Sequence, residues 1–213
     1  MRRPPDPPGP PRRERTRTAL REAALARFVR DGFDATSITD IAADAGVTVR
    51  TFYRYFAGKD EVLFADYEDR LDWFGLALSV RPRKEPLVDS VRAAIDSFPD
   101  DPALVAEIAR LRSSELDPDR VEPHIRRVEA QLARQIEAHL RQRQPDIADD
   151  ADARTATDAD ADARLRTTIV ARAVATAVFA AMDTWMAGPA DDLDELSRLT
   201  GLALDTVAPI VEP

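Results

Sequence analysis

The sequence predicts an all-α protein, and three observations carry that reading. Between residues 12 and 81 there is no proline, and the ten prolines beyond leave long windows open to helix. Within those windows apolar residues recur at every third or fourth position rather than every second. No convincing pair of strands is present.

The elements follow in order. Six of the sixteen prolines fall in residues 1–11, together with Arg2, Arg3 and Gly9 and no apolar period, so this segment reads as a disordered arm. It lacks the apolar stretch of a secretory signal, and a cytoplasmic protein is expected. Leu20, Ala24 and Phe28 mark a first helix, ended by Gly32. Ile38, Ile41, Ala42 and Ala45 mark a short second helix with a capping-box start, in which Ser37 would accept from the Asp40 amide. Gly46 stops it. Residues 49–56 read as a third helix, and Leu63, Tyr67, Leu71, Phe74 and Leu78 follow one face of a longer fourth that begins after Gly58. Residues 87–98, 103–116, 119–142, 165–187 and 193–207 complete about nine helices.

The acidic, low-complexity stretch 145–163 precedes the eighth helix. Asp158, Asp160 and Asp162 have calcium-loop spacing, but Ala163 stands where such a loop needs glycine and Ile169 where it needs a bidentate glutamate. A solvated linker is expected instead.

Composition excludes several function classes. The seven glycines are never closer than twelve residues, so no dinucleotide-binding, P-loop or nucleophile-elbow motif can form. Cysteine is absent and the two histidines lie fifteen residues apart, which removes thiol chemistry and Cys-ligated zinc. No catalytic set is legible, so neither an enzyme, a cofactor nor a metal is expected.

The positive signal lies at Ala45-Gly46-Val47, a three-residue turn centred on glycine between two short amphipathic helices, as in a helix-turn-helix. The exposed face of the third helix would carry Thr48, Arg50, Thr51, Arg54 and Tyr55, whose hydroxyl, guanidinium and phenol groups suit base edges and phosphates. Lys59 at the next helix start would face a phosphate. Such turns also occur in bundles that bind no DNA, which leaves open a dimeric small-molecule-binding protein without DNA function.

The run from Thr36 to Leu63, with Ile38-Thr39-Asp40-Ile41-Ala42, Ala45-Gly46-Val47, Phe52-Tyr53-Arg54-Tyr55-Phe56 and Lys59-Asp60-Glu61 in it and Gly32-Phe33 before it, resembles the signature of TetR-type (TetR/AcrR) transcriptional regulators. The resemblance covers about the first 65 residues. It implies an all-α homodimer, a helix-turn-helix DNA-binding domain, here 12–59, an effector-binding and dimerisation domain, here 60–213, and repression at a palindromic operator relieved by a small effector. By position it implies base reading by Thr39, Arg50 and Thr51 and phosphate binding by Thr48, Tyr53, Tyr55 and Lys59. Two positions depart: Tyr55 stands where His is frequent and Arg50 where a small residue is frequent, so Arg50 is open to a guanine or a phosphate. Phe52 and Phe56 are expected in the core beside Phe28 and Phe33.

A narrower resemblance, to a subset of these regulators linked to mycofactocin systems, implies an acyl-CoA effector. After residue 80 only Phe98, Phe179 and Trp185 are aromatic, and a cavity poor in rings suits an aliphatic or otherwise lipophilic ligand. Candidate lining residues are Trp73, Phe74, Leu104, Ile108, Leu111, His124, Val128, Phe179 and Met182. Residues 173–182 carry no charge; ten such residues are too few to span a bilayer, and an apolar helix needs cover on every side. A partner chain would supply it through Val170, Ala173, Val174, Ala177 and Val178 of the eighth helix and Leu196, Leu199 and Ala203 of the ninth. No membrane partner is expected. The net charge of -9 also divides: residues 1–59 hold 12 basic and 7 acidic side chains (+5), and residues 60–213 hold 18 and 32 (-14). A basic reader is attached to an acidic body.

Overall fold

The structure, a computed structural model, describes residues 12–99, 102–143, 153–188 and 192–211. The 1–11 arm and residues 145–152 of the acidic stretch lie outside the described residues. Among those described, every regular element is an α-helix, ten in all. The chain divides into two compact units, 1–65 and 66–213.

The first unit contains α1 (Arg12–Asp31), α2 (Ile38–Asp44), α3 (Val49–Phe52) and α4 (Lys59–Val62). Its core holds Leu20, Phe28, Phe33, Ile41, Phe52, Phe56 and Leu63, all buried. Phe28 packs on Phe33 with ring centroids 5.0 Å apart, and Phe52 on Phe56 at 5.6 Å. Truncating a ring as buried as Phe52 costs about 3–5 kcal/mol. Arg27 clamps the end of α2 onto α1 through two bonds to the Asp44 carboxylate, at 2.5 and 2.8 Å. Those bonds hold the Asp44 carboxyl below its ordinary range.

The second unit contains α5 (Ala65–Ser79, whose first residue closes the first unit), α6 (Leu87–Asp96), α7 (Pro102–Glu115), α8 (Pro118–Arg143), α9 (Ala153–Met186) and α10 (Leu193–Val211). Helix α9 is its axis, packed by α8, α10 and α7, while α6 packs on α10. At the start of α5, Asp66 and Arg112 of α7 form a buried ion pair, with the guanidinium 4.3 Å above the Tyr67 ring.

Three boundaries and the reading of one span differ from expectation. The third helix closes at Phe52 rather than residue 56, because Arg54 and Tyr55 donate three residues back, to Thr51 and Phe52, and tighten the chain into a turn. The expected fourth helix divides in two: the Leu63 and Phe64 amides bond to Asp60 and Glu61, again three residues back, so α5 starts afresh at Ala65. Helix α9 begins at Ala153, so the second half of the expected acidic linker is helical; Asp160 there pairs with Arg164 at 2.5 Å. Asp158 belongs to the same helix, its side chain outside the described residues. By length and composition Asp160–Met186 could cross a membrane, more than the ten uncharged residues suggested, yet Ala171, Val174, Ala175, Phe179, Ala181 and Trp185 are all buried within the protein.

Candidate functional site

The reading head is built by local rules. Ser37, in extended conformation, caps α2 by accepting from the Asp40 amide at 3.1 Å. At the other end Gly46 sits at φ +66°, the Gly46 amide donates to Ala43 and the Val47 amide to Ala42. This is a Schellman closure, and it needs a left-handed residue where only glycine is unstrained. Thr48 then caps α3, accepting from the Thr51 amide at 3.2 Å and sharing a hydrogen bond with the Thr51 hydroxyl at 3.0 Å. Two caps separated by one glycine turn thus set the angle between α2 and α3.

With Phe52 and Phe56 turned inward, the outer face carries Thr48, Arg50, Tyr53 and Arg54 exposed, with Thr51 and Tyr55 half-buried beside them. Thr39, on the first turn of α2, is also exposed. Arg54 lies 5.2 Å above the Tyr55 ring, and the Tyr53 ring meets Phe52 edge-on at 5.7 Å. Arg50 projects with no ion pair or hydrogen bond among the described residues.

Lys59 departs from expectation. Its ammonium donates inward to the carbonyls of Phe33 at 2.5 Å, Thr36 at 3.2 Å and Asp34 at 3.3 Å, 4.4 Å from the centre of the Phe33 ring. All three protons of an ammonium are thereby used. Lys59 fastens the α1–α2 loop to α4 rather than standing free for a phosphate. Arg17 is likewise turned inward, donating to the Ala65 carbonyl at 3.2 Å. Arg12, Arg13 and Arg15 are exposed on the first turn of α1.

The second unit holds a partly open cavity of about 640 Å³, within the range of small-molecule sites. Helix α5 supplies Tyr67, Arg70, Leu71, Trp73 and Phe74; α6 and the residues after it supply Ala94, Ile95, Asp96, Phe98 and Pro99. Helix α8 adds Val128 and Leu132, α9 adds Val178, Phe179 and Met182, and α10 adds Leu193, Leu196, Ser197 and Thr200. Of the expected lining, Trp73, Phe74, Val128, Phe179 and Met182 are brought together here. Ile108 and Leu111 are core residues of α7, and His124 sits on the Tyr67 ring at 6.4 Å, outside the lining. The side chain of Leu104 lies outside the described residues.

The ring count from residue 80 onward left out α5, although Trp73 and Phe74 of that helix were in the expected lining; the α5 aromatic not expected there is Tyr67, which lies on the same apolar face as Leu71 and Phe74. Several expected interface residues also belong elsewhere. Val174 is fully buried within its own chain, Val178 and Leu196 line the cavity, and Leu199 packs on the Ala109–Trp185 cluster. Val170, Ala173, Ala177 and Ala203 are half-buried. The apolar groups that α9 and α10 leave outside are Leu165 (59% exposed), Ile169 (56%), Leu202 (56%) and Ile210 (74%).

Residues 20–65, nearly the whole of this head, match the family profile described as bacterial regulatory proteins, tetR family. The head is therefore similar to the segment that this tetR-family profile describes. Among curated relatives, the HTH-type transcriptional regulator TcmR of Streptomyces glaucescens is 33% identical over 103 residues, 48% of this chain and 42% of that protein. The mycofactocin biosynthesis transcriptional regulator MftR of Mycobacterium tuberculosis is 32% identical over 87 residues, 41% of this chain and 44% of the relative. The aligned stretch thus spans less than half the length of either. Two solved structures share the fold almost end to end. Thermus thermophilus FadR, a TetR-family transcriptional repressor in complex with lauroyl-CoA, superposes with a TM-score of 0.58 at 19% identity, covering 92% of this chain and 95% of that one. SmeT, the repressor of the Stenotrophomonas maltophilia multidrug efflux pump SmeDEF, gives 0.54 at 25% identity, with 92% and 91% covered.

Proposed function

We propose that this protein is a ligand-responsive, DNA-binding transcriptional repressor that acts as a homodimer on a palindromic operator and is released by a lipophilic small molecule, without catalytic activity of its own. The carrying observation is the doubly capped α2–turn–α3 unit, which presents an unpaired Arg50 beside Thr39, Thr48, Thr51 and Tyr53. Arg50 and the hydroxyls suit base edges, and Tyr53, Tyr55 and Arg54 suit the phosphates that flank them. In a dimer the two α3 segments must enter successive major grooves, about 34–36 Å apart.

The cavity supplies the switch. Helix α5 continues the chain directly from Ala65 and gives the cavity five lining residues, so a ligand that reorients α5 acts on the segment to which the head is attached. Weakening DNA binding 100-fold requires the effector to prefer the released state by about 2.7 kcal/mol. Dimerisation is assigned to the outer faces of α9 and α10, through Leu165, Ile169, Leu202 and Ile210.

The test is a footprint on the intergenic DNA beside the protein's own gene. A protected palindrome at moderate salt, lost in Arg50→Ala without loss of fold, supports the reading. Absence of protection, with full binding of a cavity ligand, leaves a helical ligand-binding dimer in its place.

A further inference from the structure

The chain beyond residue 65 holds only six aromatic side chains, and five of them line one cavity: Tyr67, Trp73 and Phe74 from α5, Phe98 after α6, and Phe179 from α9. The sixth, Trp185, belongs to a separate core cluster. We propose that the ligand of this cavity is a planar aromatic molecule bearing oxygen substituents, not an acyl-CoA; this names the effector class of the regulator described above and rests on that reading for its regulatory meaning.

Three features carry it. Rings contribute beyond their apolar area when they meet another ring edge-to-face or offset-stacked, which a linear chain cannot do. These rings approach from three different segments of the fold, so a flat ligand meets several of them at once. Trp73 and Phe98 already illustrate the geometry, at 6.0 Å and 87° between planes, with the Trp73 indole held by its N–H donating to Ser97 Oγ at 3.0 Å.

The polar groups are those that would position a phenol or a carbonyl. Arg70 lies 4.6 Å over the Phe98 ring, its planar guanidinium extending the aromatic wall, and donates in a fixed fork. Tyr67 donates its hydroxyl to Met182 Sδ at 3.2 Å, a weak acceptor that a ligand oxygen improves upon. Thr200, buried, and Ser197 add hydroxyls from α10.

The charges disfavour a phosphate-rich group within the cavity. Among the described lining residues Arg70 is the one cation; Asp96 lines the same wall, and Asp66 Oδ2 is 3.8 Å from Arg70 Nε. A coenzyme A headgroup carries several phosphate charges, and a single Arg flanked by two carboxylates does not compensate them.

The full-length protein is titrated calorimetrically with 1,8-dihydroxyanthraquinone, with 1-hydroxy-2-naphthoate and with lauroyl-CoA. At least one flat probe is expected to bind at one per chain and at least tenfold tighter than lauroyl-CoA. Phe98→Leu and Phe179→Leu, which keep an apolar group but remove the ring, are each expected to weaken that probe by about 2- to 10-fold, with the helical circular dichroism of the parent retained. Dodecanoate, titrated in parallel, is expected to be indifferent to both changes. Equal or tighter binding of lauroyl-CoA, no binding of either flat probe, or ring-to-Leu variants with parent affinity overturn the proposal. The footprint without ligand reports separately on the regulator reading, so the two can fail independently.

Discussion

At the scale of single residues, three positions test how the head and the body are each held. A methyl group added at Gly46 would have no heavy atom within 4 Å, so Gly46→Ala meets no clash. The whole penalty is the left-handed backbone, about 1–2 kcal/mol, and Asn should recover part of it; thermal melts of the three proteins check this. For Lys59 the expected outcome separates fastening from DNA contact. Lys59→Met should lower the melting temperature by loosening the three carbonyls, while the salt dependence of DNA binding stays unchanged. Arg112→Ala removes the closest cation from the buried Asp66 carboxylate and leaves it Arg70 Nε at 3.8 Å; the Arg112 side chain is only 6% exposed. Breaking such a pair costs about 3–5 kcal/mol, and a paired Asp66→Asn, Arg112→Met replacement should regain most of it in urea unfolding.

At the scale of elements, the sequence was informative where local chemistry decides and silent where packing does. Ser37, Gly46 and Thr48 carry their roles in their own side chains or lack of one, so the caps and turn of α2–α3 were legible. The early close of α3 and the break before α5 depend on amides choosing carbonyls three rather than four residues back, which no apolar period records. The aromatic cavity was legible in part: Trp73, Phe74 and Phe179 were expected in its lining, but the ring count began after α5, and the places of Tyr67 and Phe98 follow only from the fold. The same holds for the proposed dimer face. Ala173 and Ala177 of α9 proved half-buried and Val174 wholly internal, which leaves Ile169 and Leu202 outside. Ile169→Asp or Leu202→Asp should therefore yield a helical monomer by light scattering and abolish operator binding. The loop before α6 offers a pH test. Glu85 accepts from Arg81 Nε at 2.7 Å and Ser90 Oγ at 2.6 Å, and these bonds hold its carboxyl down to about 2. A lowered folded pKa means the stabilisation is complete above the unfolded value of about 4.5 and is lost as pH falls toward 2. The urea midpoints of the parent and Glu85→Gln should accordingly differ at pH 6 and converge by pH 2.

At the scale of the whole molecule, charge is partitioned along the chain in a way that, on the proposed reading, favours approach to DNA through the head. Residues 1–59 carry +5 and residues 60–213 carry -14, so non-specific contact through the body is repelled while the head is attracted. Sequence-independent binding is then a property of a few exposed arginines, among them Arg12, Arg13, Arg15, Arg50 and Arg54. If two heads neutralise roughly 6–10 phosphates, operator affinity should fall by about 10³- to 10⁵-fold between 50 and 200 mM salt. This dependence also decides what Arg50 touches. A phosphate contact removed from each protomer lowers the log–log slope by about 1 apiece and weakens all sequences alike, whereas a guanine contact costs about 1–3 kcal/mol at one base pair and leaves the slope nearly in place. Arg54, stacked on Tyr55 at the rim of the face, should behave as the phosphate case, and Arg50, projecting from the first turn of α3, as the base case. Titrations of Arg50→Ala and Arg54→Ala against the operator and single-base variants of it, at four salt concentrations, measure both slopes. An Arg50→Ala slope reduced as far as that of Arg54→Ala would assign Arg50 to the backbone and pass base reading to Thr39 and Thr51.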